Sequence, residues 1–539
     1  MPVAQSASFN CVKAQSAVEH AICDNPTLSR LDDELSDLYS EAKDINENNE
    51  LLLNEQVGWL AYDRNVCKDT ACLEQAYKNR INVLSQYIQF RYQSRSLLVF
   101  STYLGGKSDD RATRIRVDLA GNSYIGGFTD AWDDFPVLNA SQPKRGGRKG
   151  GIVAKFSSSG SLLWATHLGG AKSNYKYSNF EAYTEVTGLA LDATGNIFVA
   201  GDTDALDFPM VKAVQSVLLG SRSSFLVKYS GEGHINWSTY INELYVRDIA
   251  TDSNGAVYLA ALKQRPKKGG VAVIAKYDGL GKRIWERELG GAEHNTNVRR
   301  IALDGDGNIY LGGNVQIGSL PNPRAAPQYD KGQAWNPFIA KFDGKGELLW
   351  STKIGGEKKD HLSGISADNK GNIYAVGSTT STEFPILNAA QPNRPGKKDG
   401  FVAKFSTDGK LLWSTYLGST GNDSALSVVP DFKGNIHVTG YTASTNFPTK
   451  RSFQRRKAGL INAFITTYSA DGKLIRSSYL GGNAPDYRPD IGRSVSIDGD
   501  ANVYITGSTG SENFPMKNPY QSTAGGLVDM FVTKIEALE

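Results

Sequence analysis

Histidine, methionine and cysteine are scarce in this chain. Its 539 residues include six histidines, four methionines and four cysteines. So little imidazole and thiolate leaves small scope for a metal centre or for histidine-based acid–base chemistry. His167, His234, His294, His361 and His437 share no register with one another. No GxSxG, HExxH or Walker phosphate loop occurs, so an enzyme, a metal and a cofactor are all outside the expectation. No apolar run approaches the ~20 residues of a membrane-spanning helix. Glycine and tyrosine are plentiful, at 56 and 25 residues, a balance that favours turn-rich β structure.

The four cysteines, Cys11, Cys23, Cys67 and Cys72, all precede residue 73, and the long remainder has none. A small cysteine-bearing segment beside a cysteine-free body fits two disulfides in an exported protein, periplasmic or secreted. A zinc site would want CxxC spacing or several histidines, and only His20 is near. Met1-Pro2-Val3-Ala4 reads as the start of a mature chain whose signal has been removed. Cys67 and Cys72 are close enough to pair across a turn, and Cys11 can fold back on Cys23. The crossed pairings stay open at this level. Charge is divided in the same place. Residues 1–95 carry 9 basic and 14 acidic side chains, a net of −5, and the rest carries +8. An acidic head on a basic body suggests two surfaces with different partners.

Residues 1–95 read as a helical domain. Ser16-x-x-Glu19 is a capping box ahead of Val18, Ala21 and Ile22. A second helix follows Asn25-Pro26, with Leu28, Leu31, Leu35, Leu38, Tyr39, Ala42 and Ile45 at helical spacing. A third carries Leu51, Leu52, Val57, Trp59 and Leu60. A fourth, after Asp69-Thr70, carries Leu73, Tyr77, Ile81, Leu84 and Ile88. Phe9-x-Cys11, Glu19-x-x-Ile22-Cys23, Pro26-x-Leu28-x-x-Leu31-Asp32, Gln56-x-x-Trp59-Leu60, Arg64-x-x-Cys67 and Cys72-Leu73-x-x-x-Tyr77-x-x-Arg80-Ile81 together resemble the LprI-type lysozyme-inhibitor domain, over about residues 8–88. The resemblance implies an exported bacterial protein whose acidic head blocks a lysozyme-like enzyme. Opposite fields would speed that encounter with a cationic lysozyme.

Residues 96–539 are read as seven copies of one unit. Asp-x-x-Gly-Asn-x-Tyr recurs at Asp118, Asp192, Asp252, Asp304, Asp368, Asp431 and Asp498, with Ala256 for Asn in the third copy and Ala501 for Gly in the seventh. The intervals are 74, 60, 52, 64, 63 and 67 residues. A Phe-Val-Ala-Lys run and a Leu-Leu-Trp-Ser-Thr-Tyr-Leu-Gly run follow, clearest at 401–418. Each unit therefore has four strands, A to D, which is a propeller blade. The seventh copy lacks a D strand, and Leu97 to Gly106 copies Leu411 to Gly418 at the other end of the ring. The expected fold is mainly β: a seven-bladed β-propeller with shared-strand ring closure, preceded by a small disulfide-stapled α-helical domain. Tyr-Leu-Gly-Gly, the Asp turn and the pairs Phe135-Pro136, Phe208-Pro209, Phe384-Pro385, Phe447-Pro448 and Phe514-Pro515 resemble the SBBP β-propeller repeat family. Blades three and four lack Phe-Pro, so their B–C connections are expected to differ.

Trp164, Trp237, Trp285, Trp350 and Trp413 share one position of strand D, with Phe100 and Arg476 in the other two copies. Recurring with the fold, they are read as wedges between blades rather than a sugar platform. Asp304-Gly-Asp306 and Asp498-Gly-Asp500 look like the start of calcium loops but lack the other ligands, and are read as turn residues. The candidate binding residues are the basic clusters Lys144-Arg145 with Arg148-Lys149, Arg265 with Lys267-Lys268, Arg394 with Lys397-Lys398, and Arg455-Arg456-Lys457. All fall in B–C links, which an up-and-down blade directs to one face. That face suits an acidic partner such as an anionic glycan. With few aromatics interleaved, nucleic acid is not expected. The sequence thus points to an exported, non-enzymatic binding protein that inhibits a lysozyme-like peptidoglycan-cleaving enzyme or gives immunity to such a toxin. The alternatives are a propeller that binds anionic glycans, and a glycan hydrolase or lyase acting at the central axis.

Overall fold

The structure is a computed structural model that describes all residues except 1–7, 9–10, 45–48, 95–96, 132–133, 175–180, 266–268, 290–295, 317–319, 332–334 and 539. The chain divides into two units, one of Met1–Leu97 with Lys450–Phe453 and one of Leu98–Thr449 with Gln454–Glu539, the first mainly helical and the second β.

The helical unit has four helices: α1 (Ala17–Asp24), α2 (Pro26–Asp44), α3 (Asn49–Trp59), which runs into a π turn at Leu60–Arg64, and α4 (Thr70–Ser94). Their starts are capped as the sequence requires. Ser16 Oγ accepts from Glu19 N at 3.1 Å, and Glu19 Oε2 accepts from Ser16 N at 2.9 Å. Asn25 Oδ1 takes Thr27 N, and Asp69 Oδ1 takes Cys72 N. Leu28, Leu31, Leu35, Leu38, Leu73, Tyr77, Leu84 and Ile88 interlock between α2 and α4. Tyr77 OH, buried with them, donates to Asp32 Oδ1 at 2.6 Å. The disulfides are Cys11–Cys23 and Cys67–Cys72, with Cα separations of 5.8 and 5.4 Å. The expected apolar face of α3 is only half right. Leu52 and Trp59 are buried, whereas Leu51 and Val57 are 65% and 55% exposed. Ile45 and Phe9 lie outside the described residues.

The β unit has seven sheets, one per blade. Each is antiparallel in the order A-B-C-D. The A strands are Asp110–Val117, Thr184–Leu191, Leu244–Thr251, Thr296–Leu303, Asp360–Ala367, Asp423–Pro430 and Ile491–Ile497. In the last blade the D place is taken by Leu98–Leu104, zipped to Asp529–Ile535 with Ser101 opposite Thr533. The ring closes by shared strands, which removes open sheet edges. Blade three replaces the long B–C link with a tight hairpin between Val257–Arg265 and Gly269–Tyr277. Blade four inserts a two-residue strand, Tyr329–Asp330, parallel to its D strand.

The repeated motifs now have physical reasons. At each A–B turn the Asp carboxylate organises the hairpin. Asp368 Oδ1 accepts from Lys370 N and Asn372 N, and Oδ2 accepts from Asn372 Nδ2 and Tyr374 OH, all at 2.8–2.9 Å. The turn residue before Asn has φ between 77° and 86° in six blades, where glycine is at ease, and Ala501 takes 63° in the seventh. Phe208, Phe384, Phe447 and Phe514 of the Phe-Pro pairs each pack on a Phe of strand C, as in Phe384 on Phe401 with ring centres 4.6 Å apart, and Phe135 packs beside His167 of strand D at 5.9 Å. The Leu-Gly-Gly run has steric and polar causes. A Cβ on Gly418 would stand 2.8 Å from Asp399 Oδ1 and 2.6 Å from Asp423 Oδ2. The next residue, Ser419, donates its N–H to Asp423 Oδ2 at 2.8 Å, as Gly106 does to Asp110 and Gly356 to Asp360.

Candidate functional site

Strands B and C of every blade run up and down, so all B–C links reach the same face of the ring. That face holds fewer available cations than the sequence suggested. Lys144, Arg148, Lys397 and Arg456 are exposed. Several others serve the fold. Lys149 Nζ stands 3.8 Å from the centre of the Phe128 ring. Lys398 Nζ is 3.1 Å from Tyr441 OH, and Lys457 Nζ donates to the carbonyls of Ala443 and Leu460. Arg394 donates to Gly396 O. Arg145 and Arg455 are half-buried. Arg265 closes strand B of blade three opposite Gly269, and Lys267 and Lys268 lie outside the described residues.

The tryptophans are wedges. Trp164, Trp237, Trp350 and Trp413 donate Nε1–H to a backbone carbonyl in the C–D turn of the next blade, at 2.8–3.2 Å. Arg476 fills the same place in blade six and gives two bonds to Glu536 O, at 3.0 and 3.1 Å. The aspartates resembling calcium ligands are occupied by their own turn. Asp304 takes Asp306 N, Asn308 N, Asn308 Nδ2 and Tyr310 OH.

Within the helical unit, α3, the π turn and α4 leave a groove of about 370 Å³. Trp59, Ala76 and Arg80 lie along it, with Tyr62, Val83, Glu55 and Asp63. Tyr62 and Val83 are 80% and 49% exposed, and both carboxylates are exposed. Arg80 is buried, with Nε on Gln56 Oε1 at 3.1 Å and Nη1 3.7 Å from Glu55. Burial lowers its pKa and Glu55 opposes the shift. The exposed apolar groups bordered by acid were not read from the sequence, because Tyr62 falls in the π turn, off the helical period.

On the propeller axis the inner strands enclose a chamber of about 370 Å³. Every A strand has a β-bulge at the same register, such as Ala112 to Arg114, Val246 to Asp248 and Val298 to Arg300. Four residues before the turn Asp, the chain carries Arg114, Asp248 and Arg300 in blades one, three and four, and Gly or Ser in the others. These line the chamber with Arg116 and Arg493. Arg114 and Asp248 pair at 3.1 Å, both buried, and Arg114 also bonds Thr113 O and Arg247 O. Part of the signal for this site lies in the sequence: the column four places ahead of each turn Asp is charged in just these blades, whereas Arg116 and Arg493 fall outside that column.

Five stretches, 99–136, 284–314, 349–385, 412–448 and 475–515, match the SBBP family, described as a beta-propeller repeat. Each begins in or beside a D strand and runs into the next blade, so the repeat is staggered against the blade. Among curated proteins, the chain is 27% identical over 322 residues to the regulatory protein FlaEY of Caulobacter vibrioides, covering 54% of this chain and 32% of that one. It is 25% identical over 247 residues to an uncharacterized WD repeat-containing protein, L264, of Acanthamoeba polyphaga mimivirus, covering 40% and 17%. The chain thus spans a third or less of the curated relatives it matches. Among solved structures, a protein of unknown function from Dyadobacter fermentans is similar at 10% identity, covering 81% of this chain and 99% of that one with a TM-score of 0.38. Binding proteins and enzymes share the propeller fold, so the fold alone decides neither. Among the described residues no helix is long and apolar enough to cross a membrane.

Proposed function

We propose that this is an exported, non-enzymatic binding protein whose helical unit occludes a cationic, lysozyme-like peptidoglycan-cleaving enzyme, as an inhibitor or as immunity to a rival's toxin. One observation carries the reading: the groove where exposed Tyr62 and Val83 sit between the carboxylates of Glu55 and Asp63. An apolar anchor in an acidic border suits the lip of a basic enzyme cleft. The two disulfides and the LprI-like pattern over residues 8–88 support an oxidising compartment outside the cytoplasm.

The test is inhibition of muramidases of several classes by the full chain. Tyr62→Ala should weaken inhibition at least tenfold through faster dissociation. Glu55→Gln with Asp63→Asn should slow association and flatten its dependence on salt. No inhibition at micromolar protein in any class would end the proposal. A second reading, retention of an anionic glycan on the B–C face, is supported by exposed Lys144, Arg148, Lys397 and Arg456. Neutralising those four should abolish glycan retention and leave inhibition intact.

A further inference from the structure

The axial chamber concentrates positive charge in a way the ring does not need for its own folding. Four guanidinium groups line it against one carboxylate, and that carboxylate, Asp248, is already held by Arg114. Arg116, Arg300 and Arg493 have no ion-pair partner among the described residues. Arg116 and Arg300 each give one bond to a neighbouring backbone carbonyl, Ile115 O and Arg299 O. Arg493 Nε is buried with no acceptor. Asp248 acts at a distance on Arg116 and Arg300, and Glu185 on Arg493, yet all three remain lowered by burial. Half-buried cations crowded together with so little counter-charge are unfavourable, and an anion between them reverses the sign of that cost.

The rest of the lining is suited to the same purpose. Ser427 Oγ accepts from Val495 N, and Ser494 Oγ accepts from Ile115 N, each at 3.2 Å. With an oxygen lone pair committed to a backbone N–H, each hydroxyl keeps its own proton to donate. Arg forks are donors only, and their planar shape matches the paired oxygens of carboxylate or phosphate. Among the lining residues positive charge exceeds negative by three, and Glu185 near Arg493 offsets part of it, which still leaves room for more than one negative charge. A space of about 370 Å³ holds a small organic molecule and excludes a folded partner.

We propose that the axial chamber binds a small, multiply charged oxyanion, a phosphate ester or a polycarboxylate, through Arg116, Arg300 and Arg493. The arginines already disturb one another in its absence. Burial pushes Arg300 down to about 9, with Arg114, Arg299 and Arg116 adding to the shift against Asp248. Arg493 and Arg116 are lowered by burial as well. The site is separate from the helical groove, so it stands or falls apart from the inhibitor reading.

The experiment is calorimetric titration of the full chain with inorganic phosphate and with citrate, at constant ionic strength set by chloride. One saturable site per chain is expected, and the tighter of the two anions tells whether a phosphoryl or a carboxylate ligand is preferred. Arg300→Gln and Arg493→Gln should each weaken binding at least tenfold. Each should also raise the Tm of the anion-free protein by relieving the crowding. Lys144→Gln with Lys397→Gln and Arg456→Gln, on the B–C face, should leave binding unchanged. Absence of saturable binding by either anion, or binding that survives Arg300→Gln and Arg493→Gln, overturns the proposal. If one of these variants does not fold, the other and Arg116→Gln carry the same test.

Discussion

Replacing Asp399 with asparagine should make the propeller more stable above neutral pH and leave it unchanged in acid. Asp399 opens strand C of blade five (Asp399–Phe405), and Asp423 opens strand A of blade six. Both are fully buried. The equivalent junctions after blades four and six put an asparagine in the first place, Asn336 and Asn462, opposite Asp360 and Asp490. In blade six the amide supplies the missing proton: Asn462 Nδ2 donates to Asp490 Oδ2 at 2.8 Å, whereas in blade four Asn336 Nδ2 donates to Asp330 Oδ2 at 3.4 Å. Two carboxyls in the same space must instead hold a proton between them. Burial, with Asp423 adding, pushes Asp399 up to about 7, against the bond from Gly396 N and the pull of Arg394. An unfolded aspartate titrates near 3.8. The difference of about 3 units, at ~1.4 kcal/mol each, is about 4 kcal/mol. Because the folded pKa is the higher one, this stability is complete below about pH 4, declines as pH rises toward 7, and is absent above. Unfolding by guanidinium, followed by tryptophan fluorescence at pH 4, 6 and 8.5, is the assay. Asp399→Asn should match the parent at pH 4 and exceed it by up to ~4 kcal/mol at pH 8.5. Its profile should be shallower rather than flat, since Asp110 and Asp529, pushed to about 8 and about 6 mainly by burial, still titrate. Parallel profiles for parent and variant would refute the shared proton.

Two further outcomes follow from departures of single blades from the repeat. In blade six the cross-strand Tyr–Lys pair is replaced by His437 and Thr467, bonded at 3.0 Å, while the neighbouring Trp becomes Arg476. The positive charge has moved one strand outward. Thr467→Lys alone should therefore lower Tm by setting two cations side by side. Combining it with His437→Tyr and Arg476→Trp, which recreates the pattern of the other blades, should restore the Tm. Ala501→Gly should raise stability by about 1 kcal/mol in urea denaturation, since alanine there adopts a positive φ that glycine holds without strain.

The fold was legible because its causes are local and repeated. Asp368, Asn372 and Tyr374 appear in the sequence at the spacing their hydrogen bonds require, and the match of Leu97–Gly106 to Leu411–Gly418 disclosed the closing strand before any geometry. The cysteine segment was equally plain in outline, though geometry was needed to choose among the pairings. The sites were harder to read. Lys149, Lys398 and Lys457 look like free surface charge in the sequence, and only the packing shows Phe128, Tyr441 and the carbonyls that take them up. The pair Arg114 and Arg116, together with Arg300 and Arg493, come from three distant strands and meet only because a bulge at one register turns those strands toward the axis. Tyr62 is not legible from helical spacing, because a π turn carries it off that period.

The strand that seals the circle is also the first one made. Leu98–Leu104 has no charge, no proline and a strong β tendency, and its partner is about 430 residues downstream. At roughly 5–20 residues per second, it waits on the order of half a minute or more after emerging from the ribosome before that partner exists. Throughout this interval it is an unpaired, adhesive strand, free to join the same strand of a neighbouring nascent chain. The number of copies synthesised at once and whatever shields that strand therefore bear on how much of the chain reaches the closed ring.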